Sequence, residues 1–173
     1  MGMLADRSRS SSPRGAAAAS DGKARTDSGQ IAHPAYESID LTPYATAVNG
    51  ALAHRRPAFV ATSGEDGTPD IGPKGSVFVA DAGHLAYLEY TGGGHLANLR
   101  RNPKVAIVYF DPEAEPRYVR FYGEAELLET GALRDELRAR VNPIELAQDP
   151  NNAGVMVRIR VDEVVSGRTT HRV

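Results

Sequence analysis

Hydrophobic and polar positions follow a helical period at the start of the chain's apolar region. Apolar residues recur every three or four positions between 44 and 52, which predicts an amphipathic helix. Thr42, followed by Pro43, predicts the N-cap and first turn of this helix. The basic run 54–56 and then Pro57 predict its end.

After Pro57 the period shortens to that of β-strands separated by polar turns. The predicted strands cover residues 58–62, 69–73, 76–80, 85–90, 105–110, 117–127 and 155–165. Gly123 interrupts one of them and predicts a β-bulge or the close approach of another backbone. Further short helices are predicted at 95–101 and from a cap at Thr130 to Val141, where Asn142-Pro143 ends the pattern.

These elements predict the fold class. Strand–helix–strand repetition is absent from the sequence pattern, so a parallel sheet is not expected. The pattern predicts a mainly β (α+β) protein: an antiparallel sheet of six or seven strands that curls into a barrel, with two or three short helices.

The first 35 residues follow neither period. They are rich in Ser, Ala, Gly and charge and hold almost no large apolar side chain, so they cannot bury enough surface to offset their ordering entropy. We therefore predict a disordered tail over 1–35 and a single domain over 36–173.

Composition excludes several classes of function. The chain of 173 residues has no cysteine and a net charge of -2 with both signs interspersed. We therefore expect no nucleic-acid or membrane partner, and a cytoplasmic location. The five histidines show no metal-binding spacing and no G-x-S-x-G motif occurs, so neither a metal site nor a serine nucleophile is predicted.

The stretch EYTGGGHLANLRRNP, residues 89–103, carries the clearest chemical signal. Its three glycines, Gly92 to Gly94, have no Cβ to obstruct a ligand, and the helix that begins near His95 offers free backbone N–H groups to an anion. Thr91 adds a hydroxyl. The pattern indicates a phosphate site, and the alternative is a flexible connection with no ligand.

Two further clusters supply positive charge. A hairpin would bring Lys74 and Ser76 to the start of the glycine loop, where a lysine could contact a phosphate; otherwise Lys74 is a solvated turn residue. Arg117 and Arg120 lie three apart in a strand and must point to opposite faces, so at most one can contact a given site. The alternative for each arginine is an exposed position.

In this order, the segments GTPDIGPKGSVFVADAGHLAYLEY, GHLANLRRNP, VAIVYFD and YVRFYGEAEL resemble the pyridoxamine 5'-phosphate oxidase-like family of FMN-binding split barrels. The resemblance covers residues 56–126 and implies an antiparallel split β-barrel that forms a homodimer with FMN across the interface. The residues implied to bind the cofactor are Lys74, Gly75, Ser76, Val77, Leu88, Glu89, Thr91, Gly94, His95, Arg117 and Arg120.

The chain also departs from the family pattern. Gly94-His95 stands where many members have arginine followed by lysine, and Glu89 stands where Thr or Ser is expected. The ending EVVSGRTTHRV lacks the tryptophan of the true oxidases and the arginine and histidine that grip their substrate. A protein other than pyridoxamine phosphate oxidase itself is therefore predicted.

The function implied by the resemblance is that of an FMN-dependent oxidoreductase acting on a small molecule. Hydride would pass between the flavin N5 and the substrate, or NADH or NADPH as electron donor, and no side chain is assigned as catalytic. Two alternatives stay open: a flavin-binding module without turnover, and the same barrel holding a deazaflavin or haem.

Overall fold

One antiparallel sheet of eight strands dominates residues 39–173, the part of the chain that the computed structural model describes. The predicted tail, residues 1–35, lies outside these residues. The strands are β1 (Ala58–Ser63), β2 (Pro69–Lys74), β3 (Phe78–Asp81), β4 (His84–Glu89), β5 (Lys104–Phe110), β6 (Tyr118–Leu128), β7 (Val155–Ser166) and β8 (Thr169–Arg172).

Short helices lie between the strands. After a 3-10 turn at Thr42–Tyr44, they are α1 (Ala45–Gly50), α2 (Gly94–Arg101), α3 (Ala132–Arg138) and α4 (Pro143–Leu146). Within the described part of the chain, none of them is both long enough and apolar enough to cross a bilayer.

The sheet curls into a barrel that does not close. The order is β2-β1-β5-β6-β7-β4-β3, with β8 paired to β7, so β2 and β3 are the two ends. Only the three residues Gly75–Val77 separate those ends along the chain. The four Cα-to-Cα steps from Lys74 to Phe78 hold the two ends within about 14 Å of each other, since each step spans at most ~3.6 Å. This arrangement confirms the predicted split barrel.

The core follows the alternation of the strands. In β5 the side chains of Val105, Ile107 and Tyr109 are buried, while the residues between them are half-buried or exposed. Together with α1, these side chains fill the inside of the barrel. A second, smaller core forms where Leu137 of α3 packs on the other side of β4 and β7.

The structure confirms both predictions for Gly123. The register between β6 and β7 shifts at Tyr122–Gly123, which marks a bulge. A Cβ on Gly123 would collide with the carbonyl oxygen of Arg160 in the neighbouring strand. Glycine is therefore required by the close approach of the two backbones.

Several predicted boundaries were wrong. Thr42 is not a side-chain cap: its backbone N–H donates instead to Asp40 Oδ1, 2.9 Å away. Thr130 does not cap α3 either, because Gly131 occupies the N-cap position with a φ of 103°. Asn142 begins α4 rather than only ending α3, since its side chain accepts a hydrogen bond from the N–H of Ile144. The strand predicted from residue 76 starts at Phe78, and β8 was not predicted.

Candidate functional site

The segment Gly75–Val77, which joins the two ends of the sheet, carries one side of the site; we call it the bridging segment. Ser76 is buried within it and fixes it to β4. The Ser76 hydroxyl accepts a hydrogen bond from the Leu88 N–H at 3.1 Å and lies 3.3 Å from the Leu88 carbonyl oxygen. The predicted approach of this segment to the strand before the glycine loop is therefore confirmed.

Lys74 and Glu89 form a buried ion pair beside the bridging segment. Lys74 Nζ lies 2.6 Å from Glu89 Oε2, and the Glu89 side chain is wholly buried. The other carboxylate oxygen accepts hydrogen bonds from the N–H and the hydroxyl of Thr91, at 3.0 and 2.5 Å. Burial alone would raise the pKa of Glu89, but the bonds to Lys74 and Thr91 outweigh it and lower that pKa.

The glycine loop leads directly into α2. Gly92 has a φ of 61°, a conformation that favours glycine, and Gly93 is the N-cap of the helix. His95, in the first turn, is buried, and neither of its ring nitrogens has a hydrogen-bond partner among the described residues. The loop therefore presents backbone amides and an unpartnered imidazole at one place.

Asp70 of β2 lies next to this loop and was not singled out from the sequence. Its Oδ1 is 3.6 Å from His95 Nε2. A Cβ on Gly94 would lie only 3.0 Å from its Oδ2, so the absence of a side chain there leaves room for the carboxylate. An anion at the start of α2 would therefore share the region with Asp70, whose side chain is partly exposed.

A cavity of about 270 Å³ adjoins the ion pair. Its lining includes Lys74, Gly75, Tyr90, Thr91 and Glu145. Glu145 reaches in from α4, and its carboxylate takes the space that a Cβ on Gly75 would fill. Burial raises the pKa of Glu145, and the nearby Lys74 ammonium and Tyr90 phenol offset only part of that rise.

The two arginines lie elsewhere in the chain. Arg117 precedes β6, is exposed, and pairs with Glu115 at 3.3 Å. Arg120 lies on the outer face of β6 between the rings of Tyr118 and Tyr122, with its guanidinium carbon 5.8 Å from each centroid. Three strand spacings separate Arg120 from β2, or about 14 Å, so a single copy of the chain does not bring it to Lys74.

Sequence reasoning missed Glu145 altogether, and no local signal could have found it. It belongs to a short helix that the strand pattern did not predict, and only tertiary packing brings it to Gly75. Asp70 did carry a signal, because it alternates with Gly72 and Lys74 on the inner side of β2.

The residues present fit a flavin in part. The cavity is bordered by Gly75 of the bridging segment and by Thr91, which leads into the glycine loop. Neither buried ring nitrogen of His95 has a hydrogen-bond partner among the described residues, so a ligand or water is needed there. Lys74, by contrast, already has a carboxylate partner. Residues 39–173 contain no group of three or more metal-ligating side chains.

A family model and a solved structure both relate this chain to the same family of proteins. The family model described as pyridoxamine 5'-phosphate oxidase matches residues 45–166. A crystal structure of a candidate pyridoxamine 5'-phosphate oxidase from Lactobacillus delbrueckii is 30% identical, with a TM-score of 0.57, and covers 75% of this chain and 97% of its own. No curated protein is significantly similar to the chain.

Other solved structures share the architecture. HupZ from Group A Streptococcus is 26% identical, with a TM-score of 0.57, and the match covers 74% of this chain and 97% of HupZ. General Stress Protein 26 from Bacillus anthracis is 16% identical, with a TM-score of 0.56, over 77% of this chain and 98% of that protein. The second likeness concerns the fold alone.

Proposed function

The chain belongs to the pyridoxamine 5'-phosphate oxidase family, and from that membership we propose that it is an FMN-dependent oxidoreductase acting on a small molecule. The observation that carries the proposal is His95, buried in the first turn of α2 with both ring nitrogens unpartnered beside a glycine loop. An unsatisfied buried imidazole next to free backbone amides needs a polar ligand.

Each part of the site has a role in this proposal. The amides of Gly93 and Gly94, with His95, hold the phosphate, and the bridging segment supports the ring. When bound, the flavin supplies hydride transfer at its N5. Lys74 keeps Glu89 ionised, and the ammonium N–H groups that do not contact Glu89 are available to donate to the ring.

The proposal includes a homodimer whose interface is the outer face of β2, β1, β5 and β6. Phe59, Ile71 and Phe110 project from this face and are 43%, 66% and 56% exposed. Strand pairing places Phe59 opposite Val108, and Val108 opposite Arg120, on the same face. Large apolar side chains clustered on one surface favour a partner, and a second copy would also bring Arg120 into the interface.

A cofactor titration tests the proposed function. Purified full-length protein should bind added FMN, seen as quenching of flavin fluorescence, and should release any co-purifying FMN on denaturation. Under anaerobic conditions the bound flavin should bleach with NADH or NADPH, the expected donors. Protein that binds no FMN would overturn the proposal.

The same experiment separates the alternatives left open by the sequence. Flavin that binds stably but is never reduced by either donor would indicate a binding module without turnover. The absorption spectrum of any co-purifying group distinguishes a deazaflavin or haem from FMN. The cytoplasmic location expected from the sequence is part of the same proposal.

A further inference from the structure

Glu145 is the acidic residue of the α3–α4 region that lines the cavity beside Lys74. Its carboxylate stands over Gly75, in the space that a Cβ on that residue would take. The helix that carries it begins at Asn142, whose side chain caps it with a hydrogen bond of 2.9 Å from Ile144 N–H. The backbone that carries Glu145 is therefore part of a capped helical turn.

The region before α4 is fixed to the edge of the sheet. Arg140 donates hydrogen bonds to the carbonyl oxygens of Ala80 and Val79, at 2.7 and 2.8 Å. Its guanidinium also lies 4.9 Å from the centroid of the Phe78 ring. These contacts hold α4 against β3, so the position of Glu145 relative to Gly75 is set by the fold.

The charges lining the cavity are not balanced. Lys74 contributes one positive charge, and its closest partner, Glu89, already matches it. Glu145 adds a further carboxylate, and the phenol of Tyr90 lies near it on the same cavity wall. A carboxylate is an acceptor only, whereas an ammonium has three N–H donors, so Lys74 keeps donors to spare after pairing with Glu89.

The cavity wall thus carries a hydrogen-bond acceptor, the Glu145 carboxylate, and also the Lys74 N–H donors that Glu89 does not use. The chemical group complementary to such a pair is an imide edge, in which one N–H is flanked by carbonyl oxygens. We propose that Glu145 determines ligand specificity by accepting a hydrogen bond from such an N–H while Lys74 donates to a flanking carbonyl. This inference rests on the proposed function, because the isoalloxazine ring carries an imide edge at N3.

Glu145 is a specificity-determining residue in this scheme and takes no part in hydride transfer. Flavins and deazaflavins share the imide edge and haem lacks it, so the residue favours the first two as ligands. A phosphate, in contrast, would meet a carboxylate at this wall and would be repelled.

The test compares dissociation constants of FMN and 3-methyl-FMN, in which the N3 hydrogen is replaced, by fluorescence quenching on the full chain. Wild type should bind the methylated probe about 10- to 100-fold more weakly, the range for a lost hydrogen bond to a charged group. Glu145→Ala should weaken FMN by a similar factor and should reduce the discrimination between the two probes to nearly one.

Two further variants complete the test. Glu145→Gln keeps a carbonyl acceptor and should retain part of the discrimination. Glu136→Ala removes an exposed carboxylate from α3 and should leave both constants unchanged. Thermal unfolding of each variant shows whether it is folded at the temperature used.

The outcomes separate this inference from the proposed function. If wild type binds FMN but discriminates equally before and after Glu145→Ala, the role of Glu145 is overturned and the cofactor assignment stands. Tighter FMN binding by Glu145→Ala also overturns it, because the carboxylate would then act against the ligand. If wild type binds neither probe, the proposed function fails and the inference with it.

Discussion

Glu89 keeps its negative charge inside the protein because a single ammonium group lies against it. The carboxylate is 1% exposed, and Lys74 Nζ is 2.6 Å from it. Removing one member of a buried pair leaves the other uncompensated, which costs far more than the pair itself contributes. Lys74 is therefore a structural residue as well as a candidate ligand contact.

We expect Lys74→Ala to lower the free energy of unfolding by about 3–5 kcal/mol, since Glu89 then stays buried without a positive partner. Urea unfolding followed by tyrosine fluorescence measures this, because the chain contains no tryptophan. Lys104→Ala is the matched control: its pair with Glu124 is largely exposed, so the loss should be below about 1 kcal/mol. Equal losses in the two variants would contradict the structural role of Lys74.

The same pair makes stability depend on pH on the acid side. The pKa of Glu89 in the folded protein is below its ordinary value of 4.5. Its contribution to stability is therefore full above pH 4.5 and is lost as the pH falls through the lower, folded-state value. The double variant Lys74→Ala/Glu89→Gln should show a smaller acid loss of unfolding free energy than wild type. An unchanged loss would mean that other carboxylates account for it.

At the residue scale, the sequence predicted which segments lie close together better than it predicted which side chains form ion pairs or hydrogen bonds. The hairpin pattern brought Lys74 and the end of the following strand together, and the structure confirms this. Glu89 was implied to contact the cofactor and was noted as a departure from the expected Thr or Ser, but its pairing with Lys74 and Thr91 was not predicted. Several polar groups lie near one another, and side-chain geometry decides which of them form pairs. The alternation of residue types along a strand does not encode that geometry.

At the scale of the elements, β6 contains a glycine whose position reflects a close contact with the backbone of β7. Gly123 lies where the register with β7 shifts, and the Arg160 carbonyl occupies the space of a Cβ. The sequence predicted this because a glycine inside an otherwise alternating strand is typical of a bulge or of a closely approaching backbone.

Gly123→Ala should lower the free energy of unfolding by about 3 kcal/mol, since the added methyl meets backbone that cannot move aside without breaking the β6–β7 pairing. Thermal or urea unfolding measures it. Gly50→Ala in α1 is the control: it meets no atom within 4 Å and should be neutral or stabilising by up to about 1 kcal/mol. A neutral Gly123→Ala would refute the contact.

The elements that were missed share a physical cause. β8 is four residues long and exposed throughout, so its pattern has no buried face to detect. α4 is a single turn that starts at Asn142-Pro143, a pair that indicates the end of one helix as readily as the start of another. Both elements are stabilised by what they pack or pair against, which lies outside their own short segments.

At the scale of the whole molecule, the proposed dimer interface is the outer face of β2, β1, β5 and β6. Ile71→Asp should convert the proposed dimer to a monomer in sedimentation or light-scattering measurements and should weaken FMN binding. Ile144→Asp on α4 is the matched control, because Ile144 is 65% and Ile71 is 66% exposed. A wild-type monomer, or a dimer that survives Ile71→Asp, would contradict the interface.

The overall architecture was the most predictable level. Alternating strands, polar turns and the absence of strand–helix–strand repeats led to an antiparallel barrel, and the short link between β2 and β3 keeps its two ends near each other. The candidate site was predictable where it lies on two short continuous segments, the glycine loop with His95 and the bridging segment with Lys74. The part made of side chains from distant elements, such as Glu145, was not.

The place where the helices interrupt the sheet has a further consequence. β6 and β7 are hydrogen-bonded neighbours along most of their length, yet residues 129–154, including α3 and α4, leave the sheet between them. Within this excursion, Leu137 of α3 packs on β4 and β7, whereas α4 carries Glu145 to the cavity. If Glu145 sets ligand specificity as proposed, substitutions in α4 would alter the wall of the cavity while the β6–β7 pairing beneath stays in place.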